Sequence, residues 1–274
     1  MTPPYLRLRQ IALVARALEP VERALTSVLA TDVCFRDPGV GKYGLHNALW
    51  ALGGTFLEVV APIRDNTAAG RYLDRRGGDG GYMYILDCDD LDARRAQLGA
   101  LGIRIVQDIR TGDAVLWSET IHLHPKDTGG CLLSIDRHCG GTDMMGGYRW
   151  AGPDWQSKAR RDVVISGAVM QCDDPAATAA RWERLLRRPA AASADGGHEL
   201  RLDNAVARFV PLADDRGERL SRVLLSCADP APLFAAAIAI GASVGSSWIE
   251  VCGVRFELEN RAASVATSAT GARS

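Results

Sequence analysis

Residues 167–186 read GAVMQCDDPAATAARWERLL. Ala168, Met170 and Cys172 recur at every second place, the period of a strand with one buried face. Asp174 and Pro175 follow: a side-chain oxygen able to cap a first turn, and a residue whose fixed φ suits the first helical position. The Ala- and Arg-rich run to Leu186 then predicts a helix. The same order of events appears three more times, as QIALVARALEPVERALTSVLA from Gln10, MYILDCDDLDARRAQLGALG from Met83 and RVLLSCADPAPLFAAAIAIG from Arg222. Aligned without gaps, one column holds Ala15, Cys88, Cys172 and Cys227. Two places on stand Ala17, Asp90, Asp174 and Asp229. Such self-similarity marks a repeated structural unit. The cysteine column needs no redox role: a small apolar residue fits where a strand passes beneath its helix.

Strand signals follow each helix. They are Asp32–Arg36, Leu45–Leu52 and Thr55–Ala61 in the first unit, with Gly53-Gly54 as a hairpin turn. In the second they are Ile103–Gln107, Ala114–His124 and Cys131–Asp136; residues 121–136, IHLHPKDTGGCLLSID, read as two strands joined by a tight turn. The third retains Glu199–Leu202 and Val206–Leu212, and the fourth Ser247–Val251 and Val254–Glu259. The expectation is an α+β fold of four βαβββ modules, with a short helix in Asn66–Arg75. Modules 1 and 2 form one domain over 1–138 and modules 3 and 4 another over 163–260. Residues 139–162, rich in Gly and Asp, make a linker whose Trp150 and Trp155 fold back onto a domain face. Residues 261–274 are a small, polar, disordered tail.

Formal net charge is −1 and pI is about 6.5, with no basic stripe, so nucleic acid and anionic membrane are excluded as partners. No apolar run reaches the roughly 20 residues of a membrane span. Seven scattered cysteines without a CxxC spacing suit reduced thiols in a cytoplasmic protein. The expected partner is a small-molecule ligand or substrate, bound by a monomer or homodimer.

The repeated unit, the stretch TFLEVVAPIRD (55–65) and the stretch LHPKDTGGCL (123–132) together resemble the vicinal oxygen chelate superfamily of glyoxalases, bleomycin-resistance proteins and extradiol dioxygenases. The local match is to methylmalonyl-CoA epimerases. The resemblance implies two paired-sheet domains, each curved around a cavity, with a divalent metal on four inward positions of the first pair. Carried over residue by residue, these are Gln10, Glu58, Met83 and Ser134. A glutamine carbonyl and a carboxylate are suitable ligands, whereas a thioether and a hydroxyl are poor ones for a hard or borderline cation. The expectation is therefore no cofactor, with Gln10 and Glu58 the residues that would hold a divalent metal. In the second pair only Glu257 keeps the family residue, beside Gly167, Arg222 and the Arg208–Val210 region, so the C-terminal half reads as degenerate.

Glu58 lies in an apolar strand, and desolvation should raise its pKa. It is the candidate base or ligand, with His46 as a second catalytic candidate. Gln10, Asn47, Trp50, Met83, Ser134 and His122 are the candidate substrate contacts. His122 and His124 alternate onto one face, although His124 also belongs to the turn. Asp87, Gln171 and Arg222 are expected on the cavity side. Two functions compete. One is a glyoxalase-like isomerase or lyase acting on a small carbonyl or carboxylate compound. The other is a metal-free protein of the bleomycin-resistance type that sequesters its ligand.

Overall fold

The structure is a computed structural model that describes residues 4–260; the predicted tail, 261–274, lies outside the described residues. Two sheets carry the fold. The first contains β1 (Leu6–Val14), β2 (Leu45–Leu52), β3 (Thr55–Pro62), β4 (Gly80–Cys88), β5 (Ile105–Gly112), β6 (Trp117–Leu123) and β7 (Leu132–His138). Their order is β2-β3-β1-β4-β7-β6-β5. The second contains β8 (Val163–Cys172), β9 (Ala190–Ala192), β10 (His198–Arg201), β11 (Val206–Pro211), β12 (Arg219–Cys227), β13 (Ser243–Val244), β14 (Trp248–Val251) and β15 (Val254–Asn260). These run in the order β13-β14-β15-β12-β8-β11-β10-β9. Each sheet is built on an antiparallel central pair, β1 with β4 and β8 with β12. Each central strand has a parallel outer neighbour, β3 or β7 and β11 or β15.

Among the described residues six α-helices connect the strands: α1 (Leu18–Leu29), α2 (Ala68–Arg75), α3 (Leu91–Ala100), α4 (Pro125–Thr128), α5 (Pro175–Leu186) and α6 (Ala231–Ala239). Two of the three predicted aspartates cap. Asp90 accepts from the Ala93 N–H and Asp174 from the Ala177 N–H, each at 2.9 Å. Asp229 does not: α6 starts from Pro230 without a side-chain cap, and Asp229, one place earlier, accepts the Ala231 N–H at 2.9 Å. Ala17 has no oxygen to offer, and α1 starts without a side-chain cap. The column of Ala15, Cys88, Cys172 and Cys227 is fully buried on the helix side, in one core with Ile11, Leu13, Tyr84, Leu86, Met170 and Val223. Burial pushes the Cys88 and Cys172 thiols up to about 12, so they stay protonated.

Some predicted strands differ. Asp32–Arg36 makes one isolated bridge, Phe35 to Leu49, because residues 30–37 must cross from α1 to the edge strand. The expected tight turn at 124–131 contains the single turn α4. Pro125 opens it, and the His124 Nδ1 accepts from the Lys126 N–H at 3.1 Å. β9 and β13 were not predicted; AAA and SV lack the branched or aromatic runs that signal strands.

The hydrophobic core is continuous through both sheets. At the junction Trp182 of α5 packs edge-on against Tyr84 and Phe209, and its Nε1–H donates to the Thr128 carbonyl at 3.2 Å. The Tyr84 hydroxyl donates to the Val206 carbonyl at 3.2 Å. Gly81 lies so close to Leu220 that an added Cβ would fall 2.3 Å from its carbonyl oxygen.

Residues 139–162 lie on the other side of the first sheet. Arg7 donates to the Gly141 and Thr142 carbonyls at 2.8 and 2.7 Å, and Arg9 to the Met144 carbonyl at 2.8 Å. Tyr148 stacks on Phe56, with ring centroids 4.9 Å apart, and Trp155 meets the same ring edge-on. Trp155 is buried and Trp150 half-buried against this second cluster, as the fold-back reading expects.

Candidate functional site

The side of the first sheet away from α1 and α3 encloses a cavity of about 700 Å³, with Ala68 and Ala69 of α2 in its lining. Strand alternation decides what enters it. In β3, Leu57 and Val59 point to the helix-side core, so Phe56, Glu58 and Val60 point away from it. Two bulges change the phase. The pairing slips between Leu8 and Gln10 opposite Leu86 and Ile85, which leaves Arg9 as an extra residue. It slips again opposite Ala12 and Leu13, which leaves Tyr82 extra. Consequently Arg9 and Gln10 both reach the cavity side, and Tyr82 and Met83 both line the cavity.

Glu58 lies at the floor. Its Oε2 accepts from Gln10 Nε2 and its Oε1 from Asn47 Nδ2, each at 2.7 Å. Neither amide is free to turn over. Asn47 Oδ1 accepts the Asp37 N–H at 2.8 Å, and Gln10 Oε1 accepts the Tyr148 hydroxyl at 3.3 Å. Desolvation outweighs these two donors and pushes the Glu58 carboxyl up to about 7.

A second carboxyl completes the floor. Asp136 Oδ2 accepts from the Tyr148 hydroxyl at 3.1 Å; Oδ1 accepts from Thr120 and, at 3.1 Å, from Ser134. Burial again dominates and raises Asp136 to about 7. Glu58, Gln10, Tyr148 and Asp136 therefore form one hydrogen-bonded chain. The Tyr148 hydroxyl has a single proton and two acceptors. When Asp136 is protonated it can donate to the Tyr148 oxygen, whose own proton then goes to Gln10. That arrangement suits a neutral Asp136 together with an ionised Glu58.

The walls are largely apolar, with Leu45, Val60, Ile85, Ile109, Leu132 and Trp150 among them. His122 lines the same space, and burial holds it down at about 4, so it is neutral at physiological pH. Lys42 and Arg149 bring positive charge to the lining.

The structure brings together Gln10, Asn47, Glu58, Met83, His122 and Ser134. It removes two candidates. His46 follows the phase of Ala48 and Trp50, which pack in the helix-side core; it is half-buried and outside the cavity lining. Adjacent strand residues face opposite ways, so Asn47 excludes its neighbour. Trp50 is fully buried on that same side and donates Nε1–H to Thr26 of α1 at 3.1 Å. His124 caps α4 and does not converge with His122.

Asp87 does not line the cavity either. It is held by Arg7 at 2.6 Å and His138 at 2.7 Å. Burial works to raise its carboxyl, and these two partners outweigh burial and hold it low. Gln171 donates to Asp214 of the loop before β12, and Arg222 pairs with Glu257 at 2.9 Å, so both of these polar groups on the second sheet have partners within the protein. Sequence reasoning missed Asp136, Thr120 and Tyr148. The signal for Asp136 was present, since it stands two places beyond Ser134 on one strand and so shares its face.

The four family metal positions meet in this cavity, but their chemistry does not fit a divalent cation. Both Glu58 oxygens already accept amide protons, and the Ser134 hydroxyl is engaged with Thr120 and Asp136. Met83 offers a thioether. Among the described residues no three His, Cys, Asp or Glu side chains converge as a ligand set.

The fold, a chain of parallel and antiparallel strands curled around a polar-floored cavity, is that of the glyoxalase-like proteins. The chain belongs to the Glyoxalase-like domain family, whose description matches residues 13–186. Human mitochondrial methylmalonyl-CoA epimerase is 26% identical over 133 residues, covering 48% of this chain and 73% of that protein. The ethylmalonyl-CoA/methylmalonyl-CoA epimerase of Cereibacter sphaeroides is 21% identical over 131 residues, 48% and 97% of the two chains. Among solved structures, a hypothetical protein from Staphylococcus aureus superposes with a TM-score of 0.65 at 12% identity, over 93% of this chain and 98% of that one. A mutant of 4-hydroxymandelate synthase from Streptomyces coelicolor gives 0.65 at 12% identity, over 88% and 76%. At such identities these two structures speak for the fold alone, and they extend it through both sheets.

Proposed function

We propose that this protein is an isomerase- or lyase-type enzyme that moves a proton on carbon next to the carbonyl of a small carbonyl or carboxylate compound. The observation that carries this reading is Glu58: a buried carboxyl raised to about 7, on the floor of a 700 Å³ cavity, with its amide partners fixed in orientation. A base with its pKa near ambient pH is matched to proton abstraction. Glu58 takes the proton. Asp136, with its proton shared through Tyr148, serves as the acid on the other arm of the network. The similarity to methylmalonyl-CoA epimerases supports an isomerase, since an epimerase is one. No step is assigned to a metal, because the donor set does not suit one.

The test is incubation with a panel of carbonyl acids, keto acids and thioesters in D₂O, followed by NMR. Wild-type protein should wash deuterium into the carbon next to a carbonyl of at least one compound, and Glu58→Gln should abolish it. No exchange with any compound that binds would end the reading. A second reading, ligand sequestration without turnover, is favoured by one feature. The carboxyl oxygens of Glu58 and Asp136 all have partners within the protein, so the cavity is stable without a reacting group. Under that reading Glu58→Gln changes ligand affinity only modestly.

A further inference from the structure

Residues 38–43, PGVGKY, form a 3₁₀ turn that roofs the cavity; Pro38, Gly39, Val40, Lys42 and Tyr43 all line it. The turn has no buried residue of its own. Its two ends are defined. At the start, the Asp37 side chain caps it through the Gly39 N–H at 2.8 Å, and the Asp37 N–H is tied to Asn47. At the finish, Gly44 takes φ 72°, a left-handed conformation that glycine adopts without strain. Between them an added Cβ at Gly41 would meet nothing within 4 Å, while Val40 and Tyr43 on either side pack, partly buried, against the cluster of Val14, Leu45, Val60, Ala69 and Leu73. The turn begins beside β2, at one edge of the first sheet, and spans to the other edge, where the Tyr43 hydroxyl donates to Gln107 Oε1 of β5 at 2.9 Å. Among the described residues that is the one side-chain hydrogen bond from residues 38–43 across the cavity mouth.

The turn also carries a charge. Lys42 is exposed, its ammonium lies 4.8 Å from the Tyr43 ring centroid, and no carboxylate pairs with it among the described residues. Its charge is felt by His122 on the opposite wall. The floor, by contrast, holds the ionised Glu58, and Asp37 at the first end of the turn adds a carboxylate whose charge Glu58 feels; these two repel an anion, while the protonated Asp136 does not attract one. An acid entering this cavity is therefore oriented, with its anionic group at the roof and its apolar or carbonyl end at the floor.

We propose that residues 38–43 are a lid, hinged at Asp37 and Gly44 and latched by Tyr43 on Gln107, that closes over an apolar molecule bearing one anionic group and meets that group with Lys42. This rests on the cavity of the proposed function being the ligand site, but not on any chemistry in it. The test uses binding alone, so its failure and the failure of the enzymatic reading are distinguishable.

Two fluorescent probes of the same apolar shape serve, 1-anilinonaphthalene-8-sulfonate and its uncharged parent N-phenyl-1-naphthylamine. The folded protein should prefer the sulfonate. Lys42→Met should weaken the sulfonate about threefold, the scale of an exposed ion pair, and leave the neutral probe unchanged. Tyr43→Phe should speed both association and dissociation about fivefold for both probes, because the latch is a single hydrogen bond. It should also raise hydrogen exchange over 38–44 without altering the core. Ile109→Trp, a half-buried position on the cavity wall, should displace both probes. Equal effects of Lys42→Met on the two probes overturn the anion assignment. Unchanged rates and exchange in Tyr43→Phe overturn the lid. Probe binding that survives Ile109→Trp lies outside the cavity and overturns both.

Discussion

The Tyr148 hydroxyl sits 3.1 Å from Asp136 Oδ2, and the two residues come from elements with no sequence pattern in common. Asp136 belongs to a regular strand, whereas Tyr148 lies in the Gly-rich run that joins the sheets. Through this contact the connecting segment completes the floor of the first cavity. Tyr148→Phe takes the hydroxyl partner away from both Asp136 Oδ2 and the Gln10 carbonyl. It should cost about 1–2 kcal/mol in urea denaturation, the scale of a buried hydroxyl bonded to a carboxyl, and any proton-exchange activity should fall with it.

Glu58 and Asp136 make stability depend on pH in a defined direction. Their folded pKa values, about 7, stand above the ordinary carboxylate range, so between about pH 4 and 7 the folded state holds more protons than the unfolded one. Their contribution is fully present in acid and is lost as pH rises through 7. Each raised carboxyl corresponds to on the order of 3 kcal/mol. Glu58→Gln should flatten the fall in Tm between pH 4.5 and 7.5 relative to wild type. A parallel pH profile in the variant would show that Glu58 ionises normally.

Arg9 is fully buried with its guanidinium 4.8 Å from the Tyr148 ring centroid and 5.2 Å from that of Phe56. It holds the Gly54 and Met144 carbonyls through Nη1, while Nε and Nη2 have no partner among the described residues. Arg9→Ala should cost about 3 kcal/mol or more, since it opens a void beneath three aromatic rings. Arg9→Met fills most of that space and removes a buried charge, so chemical denaturation should show a clearly smaller loss.

Chelation offers a fourth check. Prolonged treatment with EDTA should leave Tm unchanged, and added Zn²⁺ or Mn²⁺ should not raise it. Met83→His combined with Ser134→Glu supplies the two missing donors beside Gln10 and Glu58. Metal should then stabilise the variant by mass action, read as a concentration-dependent rise in Tm.

Much of this was legible in the chain because the physics is local. The resemblance named Gln10, Glu58, Met83 and Ser134 as inward positions, and all four do line the cavity. Alternation along each strand agrees with that side. It also tells His46 from Asn47, provided the phase is anchored on Ala48 and Trp50 rather than on the pair itself. What was not legible depends on contacts between distant segments. Tyr148 has no periodic neighbours, and its place is set by the arginines of β1 that hold the carbonyls of 141–144. The bulges at Arg9 and Tyr82 were equally silent, because an extra residue shows only against its pairing partner. The short edge strands β9 and β13 are made by pairing rather than by propensity.

The unbroken core between the sheets has a bearing on how the molecule comes apart. Tyr84, Trp182 and Phe209 interlock across the junction, and Gly81 is pressed against Leu220. Cutting the chain after His138 would strip apolar surface from both fragments at once. Heat or urea should therefore melt the whole molecule in a single cooperative step, and neither fragment expressed alone should stay soluble at the concentration the intact chain tolerates.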